Sequence, residues 1–192
     1  PVSQPVSIKS EEFLGKIEDL KPDFMVVIAF GRILPRKLLA LPRLAAINIH
    51  ASLLPKYRGA EPIQWAIING EKETGVCSML MEKELDAGDL LLSAKEAIRP
   101  DDTAATLHDR LAVKGASILI DTLKEFADNR IQPMPQDHSL ATYAPMLTKD
   151  DGLINWNQSA EEIKRAAVDD ITRFIGEQKV YDDLTLIVLK QK

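Results

Sequence analysis

The residues best suited to chemistry are Asn48 and His50, in the run Ile47-Asn48-Ile49-His50-Ala51-Ser52-Leu53-Leu54-Pro55-Lys56-Tyr57-Arg58-Gly59-Ala60. Side chains alternate along a strand, so these two project to one side. An amide donor beside an imidazole suits acyl transfer: the amide donates to an oxygen gaining negative charge, and the imidazole holds or carries a proton. An acidic group would complete the set, and Asp86 in Leu85-Asp86-Ala87-Gly88-Asp89 is available at a turn. Neither feature is diagnostic alone. A histidine closing a strand more often serves the fold, and Asp-x-Gly more often only turns the chain. His108 beside Asp109, His138 in a polar loop, Cys77 among apolar strand residues and Trp65 on a helix read as structural. Lys56 and Arg58 are candidate contacts to nucleic-acid phosphate, with a solvated loop as the alternative.

The elements that must position these groups follow from the pattern. Ser10 caps a helix over 10–20, with Glu11 and Glu12 in its first turn and Phe13, Leu14, Ile17 and Leu20 on one face. The unbroken apolar run 24–30 predicts a strand buried on both faces, as in parallel sheets. A short helix over 35–41, a strand over 45–50 and a helix over 62–69 closed by Gly70 come next. Strands over 76–81 and 89–94 flank the Asp86 turn. Asp101-Asp102-Thr103 supplies caps for a long helix whose Leu107, Leu111, Gly115, Ile118, Leu119, Leu123 and Phe126 share a face. Residues 131–135 read as an extended piece. Ser159 with Glu162 forms a capping-box pattern. Strands alternating with helices predict an α/β fold with a mostly parallel sheet flanked by helices, and ligands at the strands' C-terminal ends, where Asn48 and His50 fall.

Composition narrows the classes. The chain has 192 residues, which predicts one domain and at most two. With 45% apolar and 28% charged residues it is globular rather than disordered. Its apolar runs fall far short of the roughly 18 residues a membrane span needs, and its first residues carry no secretory pattern. One cysteine allows neither a disulfide framework nor a thiolate metal cluster, so a reducing, cytoplasmic compartment is expected. A net charge of -5 argues against a large nucleic-acid face while leaving room for a local basic patch.

Several blocks follow one another in a fixed order: Lys21-Pro22-Asp23 with the apolar strand, Phe30-Gly31-Arg32-Ile33-Leu34-Pro35, the Asn48 block, and Pro62-Ile63-Gln64-Trp65-Ala66-Ile67-Ile68-Asn69-Gly70. Then come the Asp86 turn, Asp101-Asp102-Thr103-Ala104, Tyr143-Ala144-Pro145 and Ile154-Asn155-Trp156. Over residues 21 to about 165 this order resembles the folate-dependent formyltransferase family, and the Lys56-Tyr57-Arg58-Gly59-Ala60 block favours its tRNA-directed branch. The resemblance implies a Rossmann-like domain with Asn48, His50 and Asp86 as the catalytic trio. It implies that Ser52, Leu53, Leu54 and Pro55 line a tetrahydrofolate site. The loops 29–34 and 101–103, with Gly31, Ile33 and Asp102, would enclose the pterin. The donor would be 10-formyltetrahydrofolate and the acceptor the α-amine of methionine on initiator tRNA. No metal, no membrane and a monomer are expected.

The resemblance starts part-way into the family pattern, without its opening βαβ portion, and stops near Lys164-Arg165-Ala166, before its C-terminal tRNA-binding barrel. The expectation is therefore an incomplete formyltransferase domain over 1–166 with impaired activity. The residues 171–176 and Tyr181-Asp182-Asp183-Leu184-Thr185-Leu186-Ile187-Val188-Leu189-Lys190 resemble the end of bacterial metal-dependent protein phosphatases, which implies a separate helix-strand tail over 167–192. Two acids alone cannot build a two-metal site, so Asp182-Asp183 reads as a turn. A strand over 183–189 is available to cover a sheet edge. The open alternatives are formyl transfer to another amine such as an amino sugar, hydrolysis of the donor, a non-catalytic folate-binding fragment, and a phosphatase-type regulatory piece.

Overall fold

A computed structural model of the chain describes residues 2–152, 157–159, 162–163 and 185–189. Helix α1 (Glu11–Asp19) begins at Ser10, whose hydroxyl accepts from the Phe13 N–H, and it buries Phe13 and Ile17. Strand β1 (Phe24–Ile28) and the short helix α2 (Arg36–Leu39) follow, then β2 (Ala45–His50), β3 (Arg58–Gly59) and α3 (Pro62–Ile68). Gly70, at φ +67°, takes the left-handed position that ends α3. Strand β4 (Glu73–Leu80), β5 (Leu90–Ala97), the 24-residue helix α4 (Ala104–Ala127), β6 (Tyr143–Ala144) and β7 (Thr185–Leu189) complete the elements used below.

Five strands form one sheet in the order β5-β4-β2-β1-β7, while β3 pairs with β6 in a separate two-stranded ribbon. Within the five-stranded sheet β1 and β2 run parallel, whereas β2–β4, β4–β5 and β1–β7 are antiparallel. The α/β class with helices flanking the sheet is as expected, but the mostly parallel sheet is corrected to a mixed one. For β4 and β5 the reason is connection length: the stretch between them is too short to hold a crossover helix, so the chain turns back on itself. Strand β4 also starts at Glu73, earlier than the apolar pattern from 76 indicates, because its polar first residues pair with the extended end of β5.

Each face of the sheet is covered, which explains the unbroken apolar run of β1. On one face Met25, Val27 and Ala46 pack with Phe13, Ile17 and Leu38 of α1 and α2. On the other, Phe24 and Ile47 meet Leu123 and Phe126 of α4, and Val76 meets Leu107, Leu111 and Ile118. The rings of Phe24 and Phe126 contact edge-to-face at 6.1 Å. Gly115 lets α4 come close: a Cβ there would stand 3.3 Å from Ile49. A hydroxyl pair, Ser78 and Thr122 at 2.6 Å, satisfies the polar groups between β4 and α4. The α4 cap is Thr103 in a reciprocal pair with Thr106; Asp101 and Asp102 do not provide it.

The strand expected over 183–189 appears as β7 beside β1, at the sheet's edge among the described residues. Ser159 and Glu162 make the expected capping box. The expected join near 166, the segment 171–176 and Asp182-Asp183 lie outside the described residues. No helix among the described residues is long and apolar enough to cross a membrane.

Candidate active site

Asn48 and His50 share one face of β2, the face whose first residue, Ala46, packs against the α1 and α2 layer. That layer ends before the strand does, and the chain leaving β2 folds back over the adjoining ground. Met79 and Cys77 stand opposite Asn48 and His50 on β4, and Leu53 and Leu54 pack on them. Directly paired residues of antiparallel strands share a face, so loop 51–57 forms one wall beside the two polar side chains.

His50 is 6% exposed and has both ring nitrogens directed. Its Nε2 lies 2.8 Å from the Tyr57 carbonyl oxygen. A carbonyl only accepts, so Nε2 carries hydrogen and donates. Its Nδ1 then faces the Asp86 carboxylate, 3.6 Å from Oδ2. The same Oδ2 accepts from the Gly59 N–H at 2.8 Å. Asp86 reaches this position from a left-handed backbone, φ +49°. The Asn48 amide makes no side-chain hydrogen bond among the described residues, and it is 9% exposed. A nearly buried amide with an unspent donor, beside an imidazole that faces a carboxylate, can stabilise negative charge on a substrate oxygen.

The structure thus brings Asn48, His50 and Asp86 together from β2 and from a turn 36 residues downstream of His50. The remaining expected residues divide. Ser52 is fully buried and donates to the Lys56 carbonyl at 2.6 Å, and Leu54 is 6% exposed; both hold the loop. Leu53 and Pro55 line an open cavity of about 540 Å³ with Lys56, Tyr57, Glu71 and Thr74; Asn48, His50 and Asp86 do not line it. Gly31 and Ile33 follow the C-terminal end of β1, beside that of β2, with Ile33 exposed and Leu34 buried as the anchor.

Asp102 is placed differently. Its carboxylate takes both terminal nitrogens of Arg110 at 2.6 and 2.7 Å, the Arg99 N–H at 2.7 Å and the Thr106 hydroxyl at 2.9 Å. The Arg110 guanidinium holds the Asp102 carboxyl well below the usual carboxylate range. These contacts tie the loop after β5 to α4; none is to Asn48, His50 or Asp86.

Arg58 is not the phosphate contact considered from its loop position. It is 1% exposed, and its Nη2 donates to Gln136 Oε1 at 2.7 Å and to His138 Nδ1 at 3.1 Å. Strand β3 turns the side chain inward, and Lys56 lies 3.8 Å from Glu71. Tyr57 donates its hydroxyl to Glu71 at 2.8 Å, and burial, with Glu71 adding to it, pushes the phenol up. Tyr57, Gly59 and Gln136 were not singled out for this site. Two of them act through backbone atoms, and Gln136 sits in a polar stretch without periodicity, so no local signal marks them. Among the described residues no three His, Cys, Asp or Glu side chains converge as a metal site would require.

A family model described as "Formyl transferase" matches residues 3–123. A methionyl-tRNA formyltransferase of Desulforamulus reducens is 53% identical over 163 residues, 85% of this chain and 51% of the relative. Another, from Citrifermentans bemidjiense, is 47% identical over 190 residues, 99% of this chain and 59% of the relative. The chain therefore spans between half and two thirds of the length of these curated relatives. Among solved structures, HypX from Aquifex aeolicus in complex with tetrahydrofolic acid aligns with a TM-score of 0.70 at 20% identity, over 82% of this chain and 28% of that one. A sugar N-formyltransferase from a Shewanella species aligns with a TM-score of 0.69 at 22% identity, over 97% and 76%. At such identities these two speak for the fold.

Proposed function

The chain belongs to the formyl transferase family, and on that premise we propose that its Asn48–His50–Asp86 cluster transfers a formyl group to the α-amine of methionyl initiator tRNA. The observation that carries this reading is the convergence itself: the Asn48 amide on the same strand face as an imidazole anchored at Nε2 on the Tyr57 carbonyl, with its Nδ1 facing the Asp86 carboxylate at 3.6 Å. The relatives at about 50% identity bear the name methionyl-tRNA formyltransferase, which favours the tRNA acceptor over an amino sugar.

When bound, 10-formyltetrahydrofolate supplies the formyl carbon. The chain's own residues then divide the work. Asn48 donates from its amide to the formyl oxygen as negative charge builds there. His50, anchored through Nε2–H, presents its other edge to Asp86, and a protonated ring adds positive charge beside that oxygen. Asp86, held by the Gly59 N–H, accepts the proton that the attacking amine must lose, directly or through water, and that proton would pass to the donor's nitrogen as its bond to the formyl carbon breaks and tetrahydrofolate leaves. The loop 29–34 and Leu53 and Pro55 are the surfaces we assign to the folate. Asp102 acts at one remove, by fixing the start of α4.

The test is to incubate the chain with 10-formyltetrahydrofolate and methionyl initiator tRNA and to measure formylmethionyl-tRNA, with His50→Ala as the control. Transfer that is lost in the control supports the reading. Absence of transfer by the unsubstituted chain, or transfer indifferent to His50, overturns it.

A further inference from the structure

We propose that Gln136 is a positioning residue for the reaction, acting through Asp86 and held in orientation by Arg58. The inference rests on the reading of Asp86 given above. The Gln136 side chain is 5% exposed, and each of its polar atoms is spoken for. Its Nε2 donates to two backbone carbonyls, those of Asp86 at 2.9 Å and Gly88 at 2.7 Å. Its Oε1 accepts from Arg58 Nη2 at 2.7 Å.

This arrangement admits one orientation of the amide. Arg58 can only donate, so an oxygen must face it, and the nitrogen must face the turn. Reversal would set an N–H₂ against a guanidinium and an oxygen against two carbonyls, all buried. Arg58 is thus an orienting cation. It cannot reach solvent, and its Nε is itself without a partner among the described residues, which makes any loss of the Gln136 contact costly.

The turn being held has an uncommon shape. Asp86 has φ +49°, the left-handed region, which aspartate tolerates better than most residues with a Cβ but which still favours surroundings that fix it. Gln136 bridges the carbonyls on both sides of Ala87 and so pins the turn's shape. Arg58 closes the frame through its neighbour, because the Gly59 N–H takes the Asp86 carboxylate oxygen that faces His50. Gln136 fixes the backbone and Gly59 fixes the carboxylate. With the first gone, the second has a displaced target. A catalytic group that moves by about 1 Å can lose two orders of magnitude in rate, and residues that orient a ligand by hydrogen bonds typically cost 10- to 100-fold when removed.

The experiment compares Gln136→Leu, Gln136→Glu, Asp86→Asn and the double variant Asp86→Asn/Gln136→Leu in formyl transfer from 10-formyltetrahydrofolate to methionyl initiator tRNA. Gln136→Glu keeps an acceptor for Arg58, and so a folded turn region, while removing both donors to the turn. We expect kcat to fall about 10- to 100-fold in both single Gln136 variants, with KM for the donor within about threefold. In the Asp86→Asn background the same Leu substitution should cost less than about twofold, because the group it positions is already disabled. Full kcat in the Gln136 variants overturns the inference, as does a penalty that multiplies with that of Asp86→Asn, which is what a purely structural role gives. Full kcat in Asp86→Asn overturns the reading of Asp86 itself, and this inference with it.

Discussion

Gly88 sits where the Asp86 turn meets the end of β4, and Gly88→Ala tests that contact. A Cβ on Gly88 would lie 1.9 Å from the Leu80 carbonyl oxygen and 2.9 Å from its carbon. Both are backbone atoms, so no side chain can swing aside. Leu80 is itself fixed, pairing with Ile47 and donating its N–H to the Asp89 carbonyl at 2.9 Å. The turn must therefore retreat by about 1.5 Å to restore an ordinary contact. Forcing a methyl into a packed site typically costs about 1–3 kcal/mol. In a domain of this size each kcal/mol lowers Tm by roughly 2–4 °C, so the expected fall is about 2–12 °C. The Gly88 carbonyl is also one of the two that Gln136 holds, so the retreat carries Asp86 away from His50. Transfer should fall by up to about 100-fold. Thermal unfolding and the transfer assay measure the two effects together. Gly15→Ala is the internal control: nothing lies within 4 Å of its Cβ, and the exchange within α1 should stabilise by about 0.5–1 kcal/mol. A Gly88→Ala chain with unchanged Tm and full transfer would refute the packing of the turn on Leu80.

Asn48→Ala should lower kcat about 10²- to 10³-fold, the usual cost of one oxyanion donor, while leaving Tm within a few degrees because the amide bonds nothing else among the described residues; a steady-state transfer assay beside a melt checks both. Asp102 stays ionised in the folded chain to lower pH than its unfolded value of about 3.9. Its contribution to stability is therefore complete above about pH 5 and is lost as pH falls through the folded carboxyl's range. The advantage of the unsubstituted chain over Asp102→Asn in urea unfolding should be present at pH 7 and shrink below about pH 4; a constant advantage down to pH 2 contradicts this. Cys77 is 1% exposed, and burial pushes its thiol up to about 11. A maleimide at pH 8 should label the folded chain at least about 100-fold more slowly than the chain in denaturant, as mass spectrometry of timed samples would show.

What could be read along the chain was what local pattern encodes. Strand β2 runs over 45–50 as expected, because alternation and the loop after His50 bound it on both sides. The apolar stripe of α4 predicted the buried faces of Leu107, Leu111, Gly115 and Ile118, since one helix period covers them all. Residue type and motif point to Asn48, His50 and Asp86; the first two share a face of β2, and the Asp86 carboxylate lies 3.6 Å from His50. Strand direction was not readable, because parallel and antiparallel strands present the same apolar run; only the short β4–β5 connection distinguishes them. Two-residue strands such as β3 and β6, more than 80 residues apart in the chain, carry no period at all. Asp102 was assigned on its loop, whereas its partner Arg110 is two turns into α4. Gln136 gained its place only from contacts with residues 50 and 78 positions away.

The pairing of β1 with β7 bears on how the chain is made. Val26 lies opposite Ile187, so about 160 residues separate the two partners. At a synthesis rate of about 5–20 residues per second, β1 waits roughly 8–30 s after leaving the ribosome before its neighbour is even polymerised. β2, by contrast, is available within a few seconds. Throughout that interval the side of β1 that β7 will take has no partner among the described residues, and its N–H and C=O groups are open to other extended peptides. That side of β1 is thus exposed to mispairing along a predictable line. Slowing translation should lengthen the exposure in proportion, and a chaperone that binds extended apolar segments would find its target at residues 24–28.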